Sequence, residues 1–109
     1  MKRSIKSNQR EVTQLHIIVS ADGTATTGLD QNQVSVADTG TGVKTVTLTE
    51  ALQDMVVQVS SATTGVVQEV SITSTTVFVV NGFDTATGAT ATDGIAHITV
   101  TGSRVTDRY

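Results

Sequence analysis

The chain has no cysteine, no proline and no tryptophan, and its only aromatic residues are Phe78, Phe83 and Tyr109. Without cysteine there is neither a disulfide staple nor a thiolate metal site, and the redox compartment is left undetermined. Without proline, turns and the protection of edge strands fall to Gly, Asp and Asn. With so few rings, a core has to be filled by Val, Ile and Leu, each contributing about 1.5–3 kcal/mol when fully buried. No apolar stretch approaches the roughly 18 residues of a membrane span. No secretory leader is expected either, because the nearest apolar run, Leu15 to Val19, is short and interrupted by His16.

What the sequence does hold in quantity is Thr and Val, together about a third of its 109 residues, and they alternate. Thr45-Val46-Thr47-Leu48-Thr49 and His97-Ile98-Thr99-Val100-Thr101 are the clearest runs. Branching at Cβ suits a pleated strand, and period-two alternation buries one face while wetting the other. The pattern predicts an all-β chain, folded as an antiparallel β-sandwich or jelly-roll-like barrel with a flexible N-terminal arm. A chain of this length is the usual size of one domain, here residues 12–109 behind an arm of residues 1–11.

Strands are expected near 12–19, 33–37, 43–49, 55–60, 66–73, 75–80 and 95–102, at the spacing of a sandwich. In the first, Leu15, Ile17 and Val19 share one face and Val12, Gln14, His16 and Ile18 the other, the pattern of a strand covered on both sides. Val46 and Leu48 should point inward, with Met55, Val57 and Val59 facing the same core. Val66, Val70 and Ile72 share a side into which Gln68 intrudes. Asp22-Gly23, Asn81-Gly82 and Asp93-Gly94 are candidate turns, and Glu50 to Asp54 allows one helical turn at most. The Thr-, Ala- and Gly-rich segment 81–94 reads as a long loop.

Charge is unevenly placed. The first ten residues carry Lys2, Arg3, Lys6 and Arg10 and no acid, whereas residues 11–109 set Lys44, Arg104 and Arg108 against ten carboxylates, three minus ten or a formal −7. A basic arm on an acidic body suits an acidic neighbour. Nucleic acid is not expected, because four charges without interleaved aromatics are a weak footprint and the body repels phosphate.

No catalytic constellation emerges. His16 and His97 stand on predicted strands with no Ser, Asp or Glu spacing that makes a triad. Asp22, Asp30 and Asn32 lack the Gly and closing Glu of a calcium loop and read as turn residues. The Gly-containing runs precede no amphipathic helix that could hold a phosphate. The outward threonines have no fixed repeat period, which an ice-binding solenoid face would need. The chain is therefore expected not to be an enzyme and to need no metal or cofactor.

The stretch Val70-Ser71-Ile72-Thr73-Ser74-Thr75-Thr76-Val77-Phe78-Val79-Val80, the loop after it, and Ala96-His97-Ile98-Thr99-Val100-Thr101-Gly102 together resemble small β-sandwich domains of tailed-bacteriophage virion proteins. With Val43 to Thr49 and Met55 to Ser60 the likeness covers about residues 43–102. The short length is similar to that of capsid decoration or cement proteins. The resemblance implies a virion structural protein, assembled in the host cytoplasm, that binds the major capsid protein or another virion protein and is itself a homo-oligomer, commonly a trimer. On this reading Lys2, Arg3, Lys6 and Arg10 meet an acidic groove and Leu15, Ile17 and Val19 supply an apolar anchor. The alternative is a tail or fibre module binding a receptor or glycan, with Phe83 as the stacking ring.

Overall fold

The threonine and valine alternation is realised as eight strands in two antiparallel sheets, in a computed structural model that describes residues 8–107, with side chains from 12 to 104. The strands are β1 (Asn8–Val19), β2 (Thr26–Thr27), β3 (Val34–Gly40), β4 (Val43–Leu48), β5 (Gln53–Ser61), β6 (Val66–Ile72), β7 (Val77–Asp84) and β8 (Ala96–Asp107). One sheet has the order β2-β1-β8-β5 and the other β3-β4-β7-β6. No ladder among the described residues joins the two sheets, so the fold is an open sandwich and not a closed barrel.

The core lies between the sheets. Leu15, Ile17 and Val19 of β1 stand directly opposite Val100, Ile98 and Ala96 of β8, and all six are buried. From the other sheet come Val46 and Leu48 of β4 and Phe78 and Val80 of β7, with Val46 opposite Phe78. Met55, Val57, Val59 and Val70 pack against this cluster, as their alternation predicts. Ile72, expected to point inward, is 49 % exposed at the end of β6.

Lys44 occupies a position whose parity is that of Val46 and Leu48. It is 1 % exposed, opposite Val80, and its Nζ donates to the carbonyl oxygen of Gly94 at 3.1 Å. On β6 the Gln68 carboxamide is also turned inward, against Gly82 and Gly94, and neither its oxygen nor its nitrogen has a hydrogen-bond partner.

Several expected boundaries are corrected. β1 begins at Asn8, so residues 8–11 of the proposed arm are strand, paired with Arg104 to Asp107; residues 1–7 lie outside the described part. The helix-friendly stretch near Glu50 forms no helix, because Leu52 is drawn into the core and Gln53 and Asp54 open β5 with an irregular register and Asp54 at φ 54°. Asn81-Gly82 is not a turn. Both residues lie inside β7, paired with Glu69 and Gln68 of β6, and Gly82 is needed because the Thr92 carbonyl occupies the space of a side chain.

Asp22-Gly23 does form its turn: Gly23 has φ +75° and its N–H donates to Ser20 O. The two-residue β2 was not legible as a strand. It pairs Thr26 and Thr27 with Val19 and Ile18 at the edge of β1.

Candidate partner-binding face

Because the odd-numbered residues 15, 17 and 19 of β1 fill the core, the even ones are left on the outer face of the first sheet. His16 stands opposite Thr99 and Ile18 opposite His97, and on the far side of β8 these rows continue into Gln58 and Ser60 of β5. Gln14 donates from Nε2 to the hydroxyl of Thr101 at 3.5 Å one row further along. The described outer residues of this face are Gln, His, Thr, Ser, Ile and Val, without Lys, Arg, Asp or Glu between Val12 and Ile18 or between His97 and Thr101.

Beyond β2 the chain turns back along β1 and forms a shallow depression of about 320 Å³ bordered by His16, Ile18, Leu29, His97 and Thr99. Leu29 overhangs it and is 86 % exposed. The segment is held by Asp30, whose carboxylate accepts the His16 N–H at 2.7 Å while its own N–H donates to His16 O at 3.1 Å. Asp30 thus acts as one residue of a missing strand. Gly28 permits the close approach, with φ +103° and no room for a Cβ against the His16 carbonyl. The sequence reading of Asp30 as a turn residue is refined: its side chain caps a strand edge.

The turn before β2 is built around Asp22. Its carboxylate accepts from the Thr24 hydroxyl at 2.7 Å, the Thr24 N–H at 3.1 Å and the Ser20 hydroxyl at 2.8 Å. The hydrogen bonds from Thr24, then that from Ser20, stabilise the carboxylate and lower its pKa to about 2. No group of three or more His, Asp or Glu capable of holding a metal occurs among the described residues. At one end of the sandwich Arg104 forms an ion pair with Glu50.

The expected partner-binding residues fall in different places. Lys2, Arg3 and Lys6 lie outside the described residues. Arg10 is in β1, opposite Val105. Leu15, Ile17 and Val19 are 9 %, 1 % and 0 % exposed. They are consumed by the intramolecular core, so the apolar anchor assigned to them is corrected: no partner reaches them in this fold.

Phe83 is half-buried on β7, opposite Val67 and bridged to Ala91. The segment expected as a loop over 81–94 is partly strand and partly a hairpin folded back on it. Asp84 N–H donates to Thr90 O and Thr92 N–H to Gly82 O, both at 2.9 Å. The Asp93 carboxylate then accepts the Gly42 N–H at 2.6 Å, fixing the segment to the turn between β3 and β4.

No family model matches this chain, and no curated protein or solved structure matches it.

Proposed function

We propose that this chain is a bacteriophage virion structural protein, a head decoration or cement protein that binds neighbouring capsid subunits and acts by area and charge, without catalysis. The observation that carries the reading is the outer face of β1, β8 and β5. It is broad, built on rigid ladders, and bears Thr, Gln, Ser and His with no fixed charge between His97 and Thr101. Such a face suits docking on another protein's surface, where a few central contacts set the affinity and a polar rim sets the fit.

The basic residues Lys2, Arg3 and Lys6 precede β1 in the chain and supply the charge that an acidic groove on a shell would meet. Binding to the assembled shell and not to its separated subunits stabilises the assembly by mass action, and many copies add avidity. With Leu15, Ile17 and Val19 buried, the contact falls to the outer face and to the basic segment.

The test is co-sedimentation of the purified protein with shells assembled from the capsid protein encoded in the same genome. The protein should pellet with shells, and a variant lacking residues 1–7 should pellet less and be released at lower salt. Absence of the intact protein from the shell pellet at low salt would overturn the proposal. Saturable binding to host surface polysaccharide instead, lost in Phe83→Ala, would favour the tail or fibre module.

A further inference from the structure

β1 and β8 pair without a register shift over twelve residues, but their neighbours do not follow them. β2 covers β1 only at Ile18 and Val19, and Asp30 covers it at His16. β5 leaves β8 at Ser103. From Asn8 to Leu15, therefore, no described strand lies on the outer side of β1. Its last rows, Asn8 to Glu11 against Arg104 to Asp107, form a two-stranded ribbon, an arrangement that is marginal in water by itself.

Two of the other edges are interrupted: β3 carries an irregularity between Asp38 and Gly40, and β5 another between Gln53 and Val56. β1 carries neither a bulge nor a proline along Asn8 to Leu15.

The direction of the unpaired groups follows from the ladder. His16 turns its N–H and C=O away from β8, towards Asp30. By the period of two, Gln14, Val12 and Arg10 turn theirs the same way, into the open edge. Val12 is also 81 % exposed.

We infer that the open edge of β1 pairs antiparallel with the same edge of a second copy of this chain, about a two-fold axis at Val12. Two identical edges related by a two-fold are antiparallel by construction, which makes the contact self-complementary. The axis at Val12 sets each Val12 opposite its counterpart, Glu11 opposite Thr13 and Arg10 opposite Gln14. An axis one residue earlier would set Glu11 against Glu11, a directly opposed like-charge pair that is destabilising. Asp30, seated at His16, stops the pairing there and limits the register further. The product is one continuous sheet through both copies, with the ribbon widened from two strands to four. The inference does not depend on the virion reading, and it yields a pair where the resemblance implies a trimer.

Light scattering of the intact protein over a concentration series tests the assembly, with a mass tending to twice the 11.3 kDa of one chain expected. Cross-linking tests the register, because the chain contains no cysteine. Opposed residues of a hydrogen-bonded antiparallel pair have Cα atoms about 5.5 Å apart, within disulfide range. Oxidised Val12→Cys should give a linked pair rapidly, and Val56→Cys, at a 57 % exposed site elsewhere on the same face, should not. Val12→Pro removes an outward N–H and no bond within the chain, so it should weaken pairing at least about tenfold while leaving the circular dichroism of the dilute protein unchanged. A concentration-independent monomer, a trimer, or cross-linking of Val12→Cys no faster than that of Val56→Cys overturns the inference.

Discussion

The ammonium of Lys44 on β4 donates to the carbonyl of Gly94, the residue two positions ahead of β8, and this 3.1 Å bond fastens the sheet of β4 to the segment that leads into β8. An ammonium has three protons to donate, and among the described residues this is its one hydrogen-bond acceptor. Taking a charge out of water costs several kcal/mol unless its partners are complete. Lys44→Met keeps the length of the side chain and removes the charge. We expect it to raise stability in chemical denaturation by about 1 kcal/mol, whereas Lys44→Ala, which opens a void, should lower it by about 2 kcal/mol.

Ile17 separates a core role from an interface role. At 1 % exposure and opposite Ile98, its truncation in Ile17→Ala should cost about 2–5 kcal/mol, seen as a large drop in melting temperature of the protein alone. An unchanged melting temperature would return Leu15, Ile17 and Val19 to the role of an anchor.

The Gln68 carboxamide, buried without a hydrogen-bond partner, should be dispensable. A buried polar group left unsatisfied costs about 1–3 kcal/mol, so Gln68→Met is expected to stabilise the fold and shift the denaturation midpoint upward with no change in slope.

Gly42 sits at φ +72°, and a Cβ there would lie 2.8 Å from both Gly82 O and Thr92 N. Gly42→Ala has to displace backbone on two sides and adopt a left-handed conformation. A loss of about 2 kcal/mol or more is expected, with faster amide exchange at Thr92, whose N–H is bonded to Gly82 O.

Asp22 should titrate with a midpoint near 2, below its ordinary 3.8, in a carboxyl-detected NMR titration. A carboxyl depressed in the folded state contributes stability that is complete above the unfolded value and lost as pH falls through the folded one. The turn's contribution is thus present above about pH 4 and disappears between about 4 and 2. Asp22→Asn should flatten the acid limb of the stability profile over that interval.

The alternation of Thr with Val and Leu was enough to read β4 and the inward side of β1 residue by residue, because parity decides which face is wet. The same parity contained Lys44, which shares a face with Val46 and Leu48. The sequence reading counted this cation only in the charge balance and did not place it inward, and its partner Gly94 lies fifty residues away. Asn81-Gly82 misled for a related reason. The dipeptide suits a turn when nothing flanks it, yet here β6 pairs along both residues and Thr92 comes close enough to require glycine. Asp30 had no local signal for its role at His16, since the bond crosses fourteen positions and appears only when the chain doubles back. Leu15, Ile17 and Val19 were correctly placed on one face, but that face belongs to the chain's own core. An amphipathic pattern by itself does not distinguish burial against the same chain from burial against another.

The position of β8 has a consequence for the order in which this molecule can assemble. It lies between β1 and β5 in its sheet, so β1, the first strand among the described residues, acquires its long-range partner only when residues 96–107 have been made. The sheet of β3, β4, β7 and β6 has all its strands by Asp84 and is able to form first. During synthesis β1 therefore waits, apolar on one side, and the closing step depends on contacts of high sequence separation, which are slow to form and leave strands exposed meanwhile. A chaperone that holds β1 until β8 has been made would act at this closing step.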